Sequence, residues 1–262
     1  MQYKLGKLPP ERRLSTIALS DYMPMASEWP AVKPRGWEMT LPASKLNILG
    51  NDLRGNCVIA AMMHFAQNET ANTGAPLTPN TQLTLGVYSA ITGFDPSQDV
   101  VNPDGSITNP TDNGTTWEQA LAYWQSTGIP LLDSGGKEVI HKIVGFAALD
   151  LSSIAQQRYA CDTFGGTLMG INCPQSAMDN TSNWTYVAGS AIEGGHGINR
   201  TGQGGTGWHI NSWGLSIPGT WEFSLKLADE DYIVVTPLWL DQQGTSPSGL
   251  DLNGLIAAMK AV

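Results

Sequence analysis

The chain has 262 residues, of which 41% are hydrophobic and only 14% charged, with a formal net charge of −9. That length supports one large domain or two lobes around a real core, and the apolar fraction excludes a disordered chain. The acidic balance, with no basic cluster beyond Glu11-Arg12-Arg13, excludes a nucleic-acid groove, and no run of about 18 apolar residues marks a membrane span.

Residues 1–47 carry several prolines and little periodicity, and they read as an extended arm laid over a core. A self-inhibitory pro-segment would fit that position, although the arm is short and shows no long amphipathic helix. Met1–Pro10 lacks the apolar stretch of a secretory signal, so export is not expected. The first strong helix covers 56–70, with Asn56 as its N-cap and Cys57 in its first turn. Val58 to Met63 and Phe65 are apolar nearly all round, the pattern of a central, buried helix.

A second helix is expected over Gln82–Thr92, then a long loop over 93–114. Asp95, Asp99 and Asp104 in that loop lack the bidentate glutamate that a calcium loop needs, so they read as a solvated face. A third helix, Thr116–Thr127, repeats Trp117, Ala120, Leu121 and Trp124 at helical spacing and stops at Gly128-Ile129-Pro130. The texture then changes. Lys142–Leu149 reads as a strand, Ser152–Cys161 as a helix and Thr167–Asn172 as a buried strand. Short strands follow around Gly197–Asn199, Gly207–Asn211, Thr220–Leu225 and Tyr232–Pro237. Asp241–Ser248 reads as loop and Leu250–Met259 as a short closing helix. The result is an α+β chain: arm 1–47, helical lobe 48–135, β-rich lobe 136–240 and tail 241–262.

Three cysteines, Cys57, Cys161 and Cys173, are an odd number, so a disulfide framework does not organise the fold. Cys161 and Cys173 read as reduced, buried thiols, with a bridge between them as the alternative. Cys57 is different because of its company. A cysteine at a helix start, a later His196 set among Gly194, Gly195 and Gly197, and a still later Asn211 supply the parts of a thiol nucleophile, its base and the group that orients the base. A helix N-terminus favours the thiolate through its unpaired N–H groups and dipole. The glycines around His196 read as keeping the approach open on a strand edge. The other histidines compete poorly. His64 lies about 10 Å along the helix axis from Cys57, at ~1.5 Å per residue. His141 precedes a strand without polar company. His209 alternates onto the face of Asn211.

These segments resemble the papain-like cysteine peptidases. Gly55-Asn56-Cys57 stands for that family's Gly-Ser-Cys, Gly195-His196 for its histidine strand, and Trp208-His209-Ile210-Asn211-Ser212-Trp213-Gly214 carries its Asn-Ser-Trp-Gly. The order and the gaps match, loosely from about Gly50 to Leu240. The resemblance implies a two-lobe fold with the cysteine on a helical lobe and His and Asn on an antiparallel β lobe. It also implies amide hydrolysis of a peptide or protein substrate by Cys57, His196 and Asn211, with no cofactor, since a thiol nucleophile needs no metal. Trp213 would shield the His–Asn hydrogen bond from water. Asn51 stands where the family has the glutamine of its oxyanion hole, with one methylene less reach; the alternative is a turn cap. Gly114 and Thr115, where the family has its glycine-rich substrate strand, would offer backbone hydrogen bonds to an extended peptide; the alternative is a helix-entry turn.

Val58 replaces the tryptophan that commonly follows the family's cysteine, and the first lobe's disulfide cysteines are missing. Those departures, and a fainter resemblance of Gly50-Asn51-Asp52-x-x-Gly55-x-Cys57 to a motif of uncharacterised phage and prophage proteins, motivate a second reading. In it the fold serves as a structural or binding component, cytoplasmic or virion-associated, and assembles with copies of itself or with a virion through its arm and tail. Another acyl-transfer class using Cys and His, such as NlpC-type cell-wall peptidases or transglutaminases, is a third reading, although those generally lack Asn-Ser-Trp-Gly.

Overall fold

The computed structural model describes residues 3–11, 16–23, 46–72, 74–204, 206–243 and 250–261. Residues 1–2, 12–15 and 24–45 of the proline-bearing arm, and the tail loop, 244–249, lie outside the described residues.

The first lobe is built on α1 (Cys57–Asn72), which is buried along nearly its whole length. Its neighbours are α2 (Thr81–Thr92) and, after a loop holding the short pair β1 (Val100–Val101) and β2 (Ile107–Thr108), α3 (Trp117–Ser126). Capping chemistry sets the two starts: Asn80 accepts from the Leu83 N–H, and Thr116 accepts from the Gln119 N–H. Asn56 behaves differently from the expected cap. Its Nδ2 donates to the Leu49 carbonyl at 2.9 Å, and its Oδ1 is left without a partner. Asn56 therefore ties α1 to the preceding turn, where Leu49 holds a φ of 56°. A hairpin of β3 (Ile129–Leu132) and β4 (Glu138–His141) completes this lobe.

The second lobe is one antiparallel sheet. It contains β5 (Gly145–Ala148), β6 (Thr167–Pro174), β7 (Ile192–Gln203), β8 (Gly207–Ser212), β9 (Leu215–Thr220) and β10 (Ala228–Val235), in the spatial order β5-β10-β6-β7-β8-β9. The helices α4 (Ile154–Phe164), α5 (Gln175–Asp179), α6 (Trp221–Leu227), α7 (Pro237–Gln243) and α8 (Leu252–Ala261) decorate it. A cluster including Met62, Trp117 and Leu168 seals α1 and α3 to the sheet, and another around Trp184, Trp208 and Phe223 fills the β6–β9 end. Arg200 and Asp231 pair at 2.5 Å inside the lobe, fully buried.

Several sequence expectations need correction. Thr220–Leu225 is not a strand. Trp221, Phe223 and Leu225 alternate, but Thr220 accepts from the Phe223 N–H and caps α6, which leaves Leu225 exposed. The tail is helical rather than loop-like up to Gln243, the end of α7. His141 has polar company: its Nδ1 accepts from the Trp124 indole at 3.2 Å, and its Nε2 lies 3.2 Å from Glu69. The arm joins the core, since Leu19 is fully buried against Ala147 and Ile233. All three cysteines are free and buried.

Candidate active site between the lobes

Cys57 opens α1 and is 1% exposed. Its sulfur accepts from the Gly197 N–H at 3.4 Å, so the thiol touches the strand that carries His196. The first lobe's helix start and the second lobe's histidine strand therefore meet at one point. His196 is fully buried. Its Nε2 is 2.7 Å from Ser212 Oγ, and its Nδ1 has no hydrogen-bond partner. β7 is interior to the sheet, between β6 and β8, so His196 does not sit on an edge.

Asn211 is not the hydrogen-bond partner of His196. The register explains why. Asn199 opposes Asn211 across β7 and β8. Successive side chains alternate between faces, so Ser212 shares a face with Ile198 and His196, while Asn211 and Asn199 point to the other. Trp213 covers the imidazole as the resemblance implies: its ring stacks on His196 with centroids 4.5 Å apart. It does so from a strained position, with φ at 51° in a two-residue hairpin turn whose other member is Gly214.

The cleft is filled by the chain's own arm. The Leu8 N–H donates to the Thr115 carbonyl at 2.9 Å, and the Thr115 N–H donates to Gly6 O at 3.0 Å, a parallel bridge centred on Lys7. On the opposite wall the Lys7 N–H donates to Gly195 O at 3.0 Å. The Gly6 N–H points at the Cys57 sulfur. Thr115 thus gives backbone hydrogen bonds to an extended peptide, while the Gly114 N–H is spent on the Tyr88 hydroxyl at 2.9 Å. The Asn51 amide donates to Lys4 O at 3.1 Å and to Arg54 O at 3.0 Å. Tyr3 stacks on Trp213 at 4.2 Å. The fit is close: a Cβ on Gly6 would lie 2.0 Å from Gly55 O, and one on Gly195 would lie 2.2 Å from Lys7 O. Gly195 makes room for this backbone, whereas Gly197 makes room for Val58 of α1.

Ion pairs hold the arm at both walls. Lys4 Nζ sits 2.6 Å from Asp112, and Lys7 Nζ sits 2.9 Å from both Asp229 and Glu230. Sequence reading had no signal for these groups, because nothing local says which lysine of an irregular arm will be buried.

With the arm seated, Cys57 and His196 are both neutral. Burial pushes the Cys57 thiol up, and the N–H donors of Gly197, Gly6 and Val58 only partly oppose it. Burial also pushes His196 down to about 3. Neither ring nitrogen of His196 is hydrogen-bonded to the thiol: Nε2 meets Ser212 Oγ and Nδ1 has no partner. Among the described residues no group of three His, Cys, Asp or Glu side chains could hold a metal, and no helix is long and apolar enough to cross a membrane.

No protein-family model matches the sequence, and no curated protein matches it by sequence. Solved structures do match by shape. Xylellain, a cysteine protease from Xylella fastidiosa, superposes with a TM-score of 0.63 over 90% of this chain and 97% of that one, at 14% identity. Procathepsin B of Trypanosoma congolense gives 0.58 over 88% and 86%, at 9% identity. A Carica candamarcensis cysteine protease gives 0.52 over 78% and 98%, at 14% identity.

The fold is papain-like. Within it, Cys57 takes the helix start of the first lobe and His196 the facing strand of the second. The papain-like arrangement places Ser212, rather than Asn211, against the imidazole in this chain.

Proposed function

We propose that this chain is a latent thiol peptidase or amidase, held closed by its own arm. One observation carries the reading. An extended segment, Lys4–Leu8, lies across a buried helix-start cysteine and is hydrogen-bonded on both walls of the cleft, at Thr115 and Gly195. A groove that binds an extended backbone there would present a substrate carbonyl to the Cys57 sulfur.

In the proposed reaction the sulfur attacks the carbonyl carbon and forms a C–S bond. The thiol proton passes through His196 to the departing amine as the C–N bond breaks. Water then attacks the thioester, gives a proton back to the sulfur through His196, and releases the acid. The Cys57 N–H and the Asn51 amide, freed from Lys4 O, would face the oxyanion; one such donor contributes roughly 3 kcal/mol. Ser212 orients the imidazole, and Asn211 sits beside it on the same strand. Departure of the arm admits water, which removes the desolvation that keeps His196 neutral. Gly114 and Thr115 would hold the substrate backbone, and Trp213 would shield the histidine.

The test is hydrolysis of casein or a fluorogenic peptide mixture by the full chain carrying Gly6→Ala, whose methyl has no room against Gly55 O. Turnover by Gly6→Ala, with none from the Gly6→Ala/Cys57→Ala double variant, is expected. Equal residual turnover in both would reject the thiol mechanism.

The same filled cleft motivates a second reading, in which the papain-like fold serves as a structural or binding component, for example of a phage virion. The arm would then be a permanent part of the core. Gly6→Ala would in that case unfold the chain rather than open it, and the wild-type chain would sediment as an assembly of many copies.

A further inference from the structure

The hairpin of β3 and β4 has one covered edge and one bare edge. Thr78 covers the β3 edge, exchanging two backbone bonds with Leu132 at 2.8 and 2.9 Å. That exchange turns the Leu132 N–H and carbonyl away from β4. Pro130 has no N–H to give. Leu132 opposite Glu138 and Pro130 opposite Ile140 are therefore the pairs that exchange no backbone bonds inside the hairpin. Glu138 and Ile140 accordingly aim their N–H and carbonyl groups outward. Among the described residues no strand, turn or bridge pairs with that edge. The side chains of Glu138, Ile140 and Lys142 share one face and all are exposed, Ile140 by 54%. Val139 and His141 turn to the other face, where His141 is buried. The residue beside Ile140 is Gly128, where a Cβ would lie 2.5 Å from Ile140 Cγ2, so no side chain from that position covers the isoleucine.

Exposed edges are usually guarded by charge. Here the charges have both signs and stand symmetrically about Ile140. An antiparallel second β4, set so that Ile140 meets Ile140, brings Glu138 against Lys142 at both ends. The outward backbone groups match in the same register: Ile140 exchanges two bonds with its counterpart, and Glu138 does so with Lys142. Registers displaced by two residues oppose a charge to Ile140 instead. We infer that β4 pairs edge to edge with β4 of a second copy of this chain, in a two-fold arrangement centred on Ile140. The product is a four-stranded sheet, β3-β4-β4-β3, closed by its own symmetry. Lys142 Nζ donates to the Ser126 carbonyl at 2.7 Å, and its remaining donors serve the partner's carboxylate. A strand pair by itself buries less than the roughly 1,200–2,000 Å² of durable interfaces, so the dimer is weak and fills only at high concentration. This inference does not depend on the peptidase reading.

Two measurements on the full chain test it. The first is sedimentation equilibrium at protein concentrations up to about 1 mM, where a monomer–dimer equilibrium is expected. Glu138→Lys sets lysine against lysine at both ends and is expected to weaken the dimer roughly tenfold, as is Lys142→Glu, while Glu138→Lys/Lys142→Glu restores it. A monomer at every concentration, association that Glu138→Lys leaves unchanged, or a double variant no better than either single one overturns the inference. The second measurement reads the register with thiols, since all three native cysteines are buried. Pairing about Ile140 brings the two copies of that residue to a Cα separation of about 5.5 Å, inside disulfide range. The two copies of Glu138 lie about four residues apart, or ~13 Å. Under mild oxidation Ile140→Cys is therefore expected to form a covalent dimer far faster than Glu138→Cys. Equal rates, or a faster Glu138→Cys, overturn the inference.

Discussion

At the scale of single residues, the site turns on a one-position shift along β8. Ser212, not Asn211, meets His196 Nε2. In a Gly6→Ala background, Ser212→Ala is therefore expected to lower kcat about 10- to 100-fold, a range set by loss of general-base orientation. Asn211→Ala is expected to cost less, and steady-state kinetics on one peptide ranks the two. Trp213 supplies a second contrast. It stacks on His196 while holding φ at 51°. Any truncation loses several kcal/mol of buried aromatic packing. Glycine also relieves the left-handed backbone, which alanine does not, by about 1 kcal/mol. Urea denaturation should accordingly find Trp213→Gly more stable than Trp213→Ala, the reverse of the usual order.

The elements carry the next level of consequence. The arm is fastened by two lysines in unlike surroundings. Lys4 is 34% exposed at its side chain, whereas Lys7 is buried against two carboxylates. Removing Lys4 should cost less than removing Lys7, because Lys4 is a third exposed and the buried Asp112 keeps its hydrogen bonds from the Gly55 N–H and the Tyr88 hydroxyl. Removing Lys7 strands buried charge and should cost about 3–5 kcal/mol. Melting curves of Lys4→Ala and Lys7→Ala check the difference. The helices that frame the cleft were legible from residues: α1 from its all-round apolar run after Cys57, and α3 from Trp117, Ala120, Leu121 and Trp124. α6 was not, because Trp221, Phe223 and Leu225 alternate like a strand and only the Thr220 cap reverses the reading. The meeting of Cys57 with the strand of His196 was legible, because the resemblance brings those two segments together. Ser212 was not, because only the observed pairing of Asn199 with Asn211 says which face each side chain takes. The seat of Lys4–Leu8 was not legible either, since its backbone hydrogen bonds run to residues distant in sequence.

For the molecule as a whole, buried titratable groups pull stability in opposite directions with pH. Burial holds His64 at about 4 and His196 at about 3, well below their ordinary value of 6.5. The unfolded chain therefore binds the extra protons, and these groups remove stability as pH falls below 6.5. Burial raises Glu230 to about 7 and Asp231 to about 6. For these two the folded chain binds the extra protons, so they add stability as pH falls through 7 and 6. Between pH 6 and 5 the two effects nearly cancel, and the wild-type stability should be flat. Glu230→Gln deletes one compensating group, so its stability should fall more steeply toward acid, by up to about 1.4 kcal/mol per pH unit. Urea titrations across that window measure the slope.

If the arm closes a papain-like cleft over Cys57, the accessibility of that thiol reports directly on whether the arm is seated. Alkylation of Cys57 by iodoacetamide at pH 7 should be slower than that of a free thiol in the wild-type chain, because the sulfur is buried and neutral. It should become faster than a free thiol in Gly6→Ala, once the arm is unseated and His196 is hydrated. Rapid alkylation of the wild-type chain, or a Gly6→Ala chain that stays folded with its thiol no more reactive than before, would show that the arm does not guard Cys57.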